Sequence, residues 1–313
     1  MTESTRQQFQ IYLPGLLKVL AENLYSNKKV AIRELIQNAH DSCIRRQVEG
    51  EEEKYTPRID VTLDAAKRVI TIRDNGSGLT AAEVTDYLAT IGRSYTRELG
   101  EKLAIFSPDE SAQLIGQFGL GFLSAFLIAS DVTLITQSIQ SESQALRWHS
   151  SGDVHYDVRP AERNESGTTV ELKIKPAASF ILNPQVLAET IQQYADFLPI
   201  PIYFNHEALP VNLMAPPWEA SEPGIALTEY ITRVFKSEPP LCIIPLGDQT
   251  VDLGHDTMTI PLKGFLFVPP RSVVSVREYG DVTVYIRRRM PNFCATPATR
   301  WRRANCPAHW PDW

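Results

Sequence analysis

Hydrophobic and polar residues alternate with two different periods along the N-terminal two-thirds of the chain. Apolar residues recur at helical spacing from about residue 8 to residue 48, and Ser26-Asn27 supplies a capping signal between two helices. Polar and apolar residues alternate over 58–63 and 67–74, which predicts two strands joined as a hairpin across residues 64–66. The pattern therefore predicts an α+β domain.

Cap and turn signals extend this prediction. Thr80 and Glu83 have the spacing of a capping box ahead of a helix predicted from about residue 81 to residue 91. The polar, glycine-containing segment 92–113 is typical of a loop or lid. The other elements predicted here are a helix at 122–129, strands at 131–140, 144–149, 154–159 and 167–174, and a helix at 184–198.

A proline-rich segment at 209–224 interrupts the pattern, either as a linker or as an early loop of a second unit. Strand-like runs return at 241–246, 257–268 and 281–286. We therefore expect two units, with the first ending near residue 206.

Composition narrows the class of protein. The chain has 313 residues and a net charge of −6, which fits about two domains and argues against a protein that coats nucleic acid. It has no run of about 18 apolar residues, so no membrane span is expected, and its start lacks the pattern of a signal peptide. The four cysteines lack Cys-x-x-Cys spacing, which argues against a zinc site and fits a reducing cytoplasm.

The first candidate site lies on the helix predicted before residue 48. Glu34, Asn38 and Asp41 are spaced i, i+4 and i+7, so they share one helix face. A neutral Asn oxygen suits a hydrated Mg²⁺, and a nearby Glu can take a proton from an activated water. A plain polar helix face is the alternative interpretation.

Two glycine-rich turns are weaker candidates by themselves. Asp74-Asn75-Gly76-Ser77-Gly78 ends a predicted strand, where a rigid carboxylate can accept a hydrogen bond from an exocyclic amine, although such a segment is also an ordinary turn. Gly116-x-x-Gly119-x-Gly121 precedes a helix and offers free backbone N–H groups to a phosphate. It is neither a Walker loop nor a dinucleotide fingerprint.

These motifs occur in one order, followed by Gly167-Thr168, and in that combination the sequence resembles the GHKL ATPase superfamily. Within it the chain is similar to the ninety-kilodalton heat-shock chaperones of the bacterial high-temperature protein G kind. The stretches that carry this likeness are 24–28, 33–41, 90–94 and 115–127. The likeness covers about 1–205 well and 206–286 loosely. It implies a Bergerat-type α/β sandwich, with a mostly antiparallel sheet covered by helices on one face, followed by a partial α/β middle domain.

The resemblance also implies roles for residues. Glu34 corresponds to the general base, Asn38 to the Mg²⁺ ligand, and Asp41 to a pocket residue near the base. Asp74 corresponds to the adenine reader. The other nucleotide-binding positions implied are Gly78, Leu79 and Thr168 near adenine, Arg93 in place of a phosphate-holding lysine, and Gly119, Gly121 and Phe122 in the lid hinge.

The implied function is that of an ATP-dependent chaperone, in which binding of ATP and Mg²⁺ drives lid closure and protein folding, with unfolded or partly folded client proteins as partners. No nucleic acid or membrane partner is implied. The alternatives are another GHKL ATPase or a nucleotide-gated interaction module. The family's Asn-x-Ser-Arg-Glu motif, whose arginine reaches the γ-phosphate, does not occur in the sequence, so we expect slow hydrolysis.

The C-terminal end has an uneven composition. Three of the five tryptophans and two of the four cysteines lie at 294–313, and Asp312 is the one acidic residue after Arg289. We expect an ATP-binding domain at 1–206, a partial middle domain at 207–288 and an irregular tail at 289–313, produced by a shifted or truncated reading frame or else a genuine basic tail. The family dimerises through a C-terminal domain without a counterpart here, which leaves dimerisation of this chain open.

Overall fold

The structure of the protein is a computed structural model that describes residues 15, 27–50, 54–88, 121–140, 143–153, 155–235, 238–246, 249–252, 257–260 and 264–268. The chain divides into two compact units, Met1–Met214 and Ala215–Trp313. The first unit contains every candidate site residue that the structure describes.

The helix predicted at 81–91 is α-helical at 81–83 only, and the described parts of the chain contain five α-helices, the last of them in the second unit. They are α1 (Val30–Glu49), α2 (Ala81–Glu83), α3 (Ala125–Ile128), α4 (Pro184–Ala195) and α5 (Pro223–Phe235). A π-helical turn (Val84–Leu88) continues α2, and 3-10 turns lie at Phe122–Ser124, Pro176–Leu182 and Pro217–Glu219.

Seven strands of the first unit form one sheet. They are β1 (Ile59–Asp64), β2 (Val69–Asp74), β3 (Ala129–Gln137), β4 (Leu146–Ser150), β5 (Asp157–Pro160), β6 (Gly167–Ile174) and β7 (Ile202–Phe204). Their order is β5-β4-β3-β6-β2-β1-β7, and every neighbouring pair is antiparallel except β1 with β7. The predicted α+β fold with a mostly antiparallel sheet is therefore confirmed.

Helix α1 covers one face of this sheet. Its apolar stripe, which includes Ile32, Leu35, Ile36 and Cys43, is at most 2% exposed, and the helix contacts β1, β2, β6 and α4. On the sheet side, β2 buries Ile70 and Ile72 while Arg73 between its buried neighbours stays exposed. Burial of one such side chain contributes about 2 kcal/mol, so this stripe holds α1 in a fixed rotation about its axis.

That rotation places the polar face of α1 beside the ends of β2 and β6. Ser42 contacts Asp74 through a hydrogen bond of 3.0 Å, and the backbone N–H of Ser77 donates to the Ser42 carbonyl at 2.9 Å. The predicted capping box is also present, since Glu83 N–H donates to Thr80 and the Glu83 carboxylate accepts from Thr80 N–H. The candidate turn after β2 is thus held between a helix and a capped segment.

The second unit differs from expectation in its strands and in its helix. Gln249–Asp252 is a strand that was not predicted, and the single strand predicted at 257–268 is two strands, Thr257–Ile260 and Gly264–Val268. Helix α5 lies where the sequence predicted no helix, because the proline-rich run ahead of it obscured its period. Its residues Leu227, Tyr230 and Ile231 are buried, and Tyr230 contacts Phe265 edge-on with ring centroids 6.4 Å apart. The strands of this unit are β8 (Cys242–Leu246), β9 (Gln249–Asp252), β10 (Thr257–Ile260) and β11 (Gly264–Val268), which pair as β8 with β11 and β9 with β10.

The predicted strand at 281–286 and the tail lie outside the described residues. Among the helices that the structure describes, none has the length and hydropathy needed to cross a membrane.

Candidate functional site

Helix α1 brings three candidate residues to one face. Glu34 is partly exposed, Asn38 is exposed and Asp41 is 4% exposed. The predicted spacing therefore leaves a carboxamide open to a ligand between two carboxylates of different burial. Asp41 Oδ1 lies 3.1 Å from His40 Nδ1, and that histidine is itself buried.

Glu34 is held on both sides. Its Oε1 accepts hydrogen bonds from Nε and Nη2 of Arg33, and the Arg33 guanidinium lies 5.9 Å from the ring centre of Tyr194. A methyl group built on Gly121 would lie 2.6 Å from Glu34 Oε2. A side chain at position 121 would therefore displace Glu34 Oε2, and only glycine avoids this. The close approach of Gly121 to Glu34 also brings the glycine turn against α1.

Asp74 ends β2 as a buried carboxylate with an asymmetric set of donors. Its Oδ1 accepts from Ser42 Oγ at 3.0 Å, from Gly76 N–H at 2.9 Å and from Thr168 N–H at 3.2 Å. No hydrogen bond from the described residues reaches Oδ2, which leaves this oxygen available to accept one from a ligand. Burial raises the pKa of Asp74 to about 6, against the lowering effect of its donors and of the Arg163 charge.

The turn that follows Asp74 is packed against backbone on two sides. A methyl group on Gly76 would lie 2.3 Å from Ser42 Oγ, and one on Gly78 would lie 2.0 Å from the Gln137 carbonyl oxygen. Gly78 also has a φ of +62°, which side-chain-bearing residues rarely adopt. The glycines therefore serve close packing of the turn onto α1 and β3.

A pair of threonines lies beside this turn. Thr136 Oγ1 accepts from Leu79 N–H at 2.8 Å and lies 3.1 Å from Thr168 Oγ1. Sequence reasoning identified Leu79 and Thr168 but missed Thr136 and Ser42. Neither has a signal in the sequence, because each is one of many hydroxyl residues and only strand register and helix rotation bring it to the site.

Phe122 opens the 3-10 turn that follows Gly121. Its ring lies edge-on to Trp148 of β4, with centroids 5.4 Å apart. The predicted hinge residues Gly121 and Phe122 therefore contact α1 and the sheet respectively. Arg93 and Gly119 lie outside the described residues, as does most of the predicted lid.

The oxygen atoms of Asn38 and Glu34 suit a hard cation that is bound by few protein ligands, rather than one fully coordinated by protein side chains. Within the described parts of the chain, no three His, Cys, Asp or Glu side chains come together as a metal-binding group. Mg²⁺ usually keeps several waters and takes phosphate oxygens together with one or two protein oxygens. The exposed carboxamide of Asn38, one turn from Glu34, suits that mode of binding.

Comparison with known proteins agrees with this geometry. Residues 25–171 match the family described as histidine kinase-, DNA gyrase B- and HSP90-like ATPase, a span that includes α1, β2 and the start of β6. The matched span therefore contains the elements that carry the candidate site residues Glu34, Asn38 and Asp74.

Three curated relatives, each named chaperone protein HtpG, illustrate the extent of similarity. That of Chromobacterium violaceum is 40% identical over 202 residues, 62% of this chain and 31% of the relative. That of Rhodococcus jostii is 30% identical, covering 92% of this chain and 49% of the relative. That of Mycobacterium ulcerans is 34% identical, covering 78% and 39%.

The chain thus spans between about a third and a half of the length of these relatives. The glycine-rich turns, the buried Asp74 and the polar face of α1 all fall inside the matched span. Residues 25–171 therefore belong to the histidine kinase-, DNA gyrase B- and HSP90-like ATPase family, and the chain is a relative of the bacterial HtpG chaperones.

Proposed function

We propose that this chain binds ATP with Mg²⁺ in its first unit and acts as the nucleotide-driven part of an HtpG-type chaperone in the cytoplasm. The observation that carries the proposal is the Asp74 carboxylate, whose Oδ1 is occupied by three donors while Oδ2 accepts none from the described residues. A carboxylate whose second oxygen has no donor can accept a hydrogen bond from an amine. The site therefore fits a 6-amino purine, which donates at this position, and not a 6-oxo purine, which only accepts.

The polar face of α1 supplies the phosphate end of the site. Asn38 contributes a neutral oxygen to Mg²⁺, which neutralises phosphate charge when bound. Glu34 accepts the proton of the attacking water through Oε2, because Arg33 already occupies Oε1. Asp41 lines the site between Asn38 and the residues that hold Asp74. In this scheme Gly78, Leu79 and Thr168 surround the base, and Arg93, Gly119, Gly121 and Phe122 lie around the phosphates.

We further infer that hydrolysis is slow. The Asn-x-Ser-Arg-Glu motif is absent from the sequence, and an arginine that reaches the γ-phosphate stabilises charge that develops during phosphoryl transfer. The Arg33–Glu34 ion pair also engages the base before substrate arrives. This second observation favours the alternative function, a nucleotide-gated interaction module that binds ATP and hardly turns it over.

The domain division belongs to the same proposal. It assigns nucleotide binding to 1–206 and a partial middle domain to 207–288, with 289–313 as a tail. The partners are unfolded or partly folded proteins, because the HtpG relatives are named as chaperones.

Calorimetric titration of ATP·Mg²⁺ into the full chain tests the binding step. We expect saturable binding that Asp74→Asn abolishes, whereas GTP gives no heat with the wild-type chain. Absence of ATP binding to the wild-type chain at millimolar concentration contradicts the proposal as a whole.

Hydrolysis and chaperone action need separate measurements. Glu34→Ala is expected to bind ATP as the wild type does and to lose the residual turnover. Glu34→Gln keeps the shape of the side chain without its basicity, and we expect it to behave like Glu34→Ala. Light scattering of a heat-unfolded reporter enzyme, with and without ATP, measures client binding. ATP binding without any turnover supports the interaction module, and turnover at a rate that the Glu34 variants do not change removes Glu34 as the base.

A further inference from the structure

Arg163 lies on the connection between β5 and β6 and donates along three directions. Its Nη2 donates to the Asp74 backbone carbonyl at 3.1 Å, its Nη1 to Thr169 Oγ1 at 2.5 Å, and its Nε to the Glu165 carbonyl at 2.8 Å. The planar guanidinium therefore ties the last residue of β2, the third residue of β6 and the loop before β6 into one unit.

This contact lies behind the carboxylate that the proposed site uses. Arg163 bonds the main chain of Asp74, while the Asp74 side chain accepts its hydrogen bonds from Ser42, Gly76 and Thr168. A neighbouring ion pair, Arg73 Nη2 with Glu165 at 2.6 Å, holds the same loop from outside. The fork of Arg163 therefore fixes where β2 ends relative to β6.

The Arg46 guanidinium of α1 lies close to Asp74, since its Nη1 donates to the carbonyl of the next residue, Asn75, at 2.7 Å. Cys43 and Tyr55 lie near Asp74 from α1 and from the segment before β1, and burial raises the pKa of both, that of Cys43 to about 12, so they are neutral at physiological pH. The charge of Arg163 favours the ionised form of Asp74 against its burial. Burial also lowers the pKa of Arg163 itself, which nevertheless stays charged.

We propose that Arg163 is a positioning residue of the nucleotide site, which clamps β2 to β6 behind Asp74 and keeps the Asp74 carboxylate charged so that its free oxygen accepts from the purine amine. The proposal rests on the proposed function for its consequence in binding, although the effect on Asp74 exists without nucleotide. Arg163 touches no reacting atom and acts through Asp74.

Three variants of the full chain separate the two parts of this role. Arg163→Gln removes the charge and keeps an amide donor, and Arg163→Lys keeps the charge and loses the fork. Arg159→Gln is the matched control, since it makes the same change of charge at a side chain that is 70% exposed on β5. Strands β4 and β3 separate β5 from β6, so Arg159 lies about 14 Å from β6 by strand spacing, beyond the screening length of about 8 Å in physiological salt.

The first measurement uses no nucleotide. Carbon-13 NMR follows the carboxyl of Asp74, assigned by its absence in Asp74→Asn, through a pH titration. We expect the midpoint, about 6 in the wild type, to rise to about 7 in Arg163→Gln and to stay near 6 in Arg163→Lys and Arg159→Gln. Equal midpoints in the wild type and Arg163→Gln overturn the proposal.

The second measurement is ATP affinity at about pH 6, 7 and 8.5, each variant compared with the wild type at the same pH so that titration of ATP cancels. If the midpoint rises as stated, the ionised fraction at pH 6 falls from about one half to about one tenth, and Arg163→Gln binds about 5-fold more weakly there. At pH 8.5 both proteins are fully ionised, and affinities agree within about 2-fold.

The outcomes are distinguishable from failure of the proposed function. A wild-type chain that binds no ATP contradicts the function and leaves the NMR result to decide the Arg163 role. If Arg163→Gln binds ATP more weakly by the same factor at every pH, Arg163 acts only through structure, and this result overturns its electrostatic role. If Arg163→Gln fails to fold, Arg163→Lys provides the test. A wild-type pH profile in Arg163→Lys supports the proposal, and a raised titration midpoint of Asp74 refutes it.

Discussion

The backbone N–H of Thr168 donates to Asp74 Oδ1 at 3.2 Å, across 94 residues of sequence. The contact exists because β2 and β6 are antiparallel neighbours, with Arg73 opposite Thr169 in the last pair of their register. Gly167, with a φ of +120°, allows the approach, since a methyl group there would lie 2.3 Å from the Asp74 carbonyl oxygen. The carboxylate is therefore oriented by two strands and a helix before any ligand arrives.

Asp74→Asn is expected to lose nucleotide binding and to gain stability. An Asn Oδ1 accepts the same three hydrogen bonds, but its amide nitrogen then faces the amine of the base, so affinity for ATP falls by about 100-fold or more. The pKa of Asp74 in the fold, about 6, lies above that of the unfolded chain, so the stability contributed by its protonated form is lost as pH rises through about 6. Removal of the buried charge adds about 1–3 kcal/mol to the free energy of unfolding at pH 8.

Urea unfolding at two pH values checks the sign of this effect. The gain is expected near pH 8 and largely absent near about pH 3, below both the unfolded and the folded pKa, where the carboxyl is mostly protonated in both states. Equal changes at both pH values contradict the assignment of a buried, ionised carboxylate to the free protein.

Gly121→Ala is expected to impair hydrolysis with little cost in stability. The backbone of Gly121 has φ −58° and ψ −44°, which alanine adopts readily, so the new methyl group acts by displacing the Glu34 carboxylate. We expect turnover to fall by about 10-fold or more while ATP affinity and melting temperature change little. Gly224→Ala is the matched control, because a methyl group there meets no atom within 4 Å. Unchanged turnover in Gly121→Ala argues against Glu34 as the base.

Gly78→Ala is expected to be costly in both stability and binding. The positive φ and the overlap with the Gln137 carbonyl together force the turn off β3, at a cost of about 2 kcal/mol or more. Gly152→Ala controls for backbone strain, since Gly152 has a φ of +79° and its methyl group would meet the side chain of Phe126. The melting temperature should fall in both variants, whereas ATP affinity should fall in Gly78→Ala alone. A loss of ATP affinity in both variants would contradict a specific role of the Gly78 turn in nucleotide binding.

His40 offers a pair of variants that test the orientation of Asp41. A carboxylate only accepts, so His40 Nδ1 carries the proton of the 3.1 Å bond, and its Nε2 has no partner in the described parts of the chain. His40→Asn places an amide nitrogen near the Nδ1 position, and His40→Gln places one near Nε2. We expect the Asn variant to bind ATP within about 2-fold of the wild type and the Gln variant to bind about 10-fold more weakly. Equal affinities for the two variants speak against a role for this bond.

Local periodicity predicted much of the architecture. The strand Gly167–Ile174 and the capping box of Thr80 with Glu83 lie where the sequence placed them, because alternation and capping are properties of a few consecutive residues. Helix α5 was missed, since the prolines ahead of it hid its start. The ends of β3 also differ from expectation, since the strand runs over Ala129–Gln137 where the sequence predicted 131–140.

By itself the sequence determined which residue types stand on which face: the stripe of Glu34, Asn38 and Asp41 on α1, and Asp74 with its glycines at the end of β2. Only the tertiary structure decided which partners complete the site. Ser42, Thr136 and Arg163 reach Asp74 or its turn through helix rotation, strand register and a loop contact over tens of residues. Such contacts depend on how separate elements pack, and no local period encodes them. The charge state of Asp74 is likewise a product of burial, which exists only once α1 has covered the sheet.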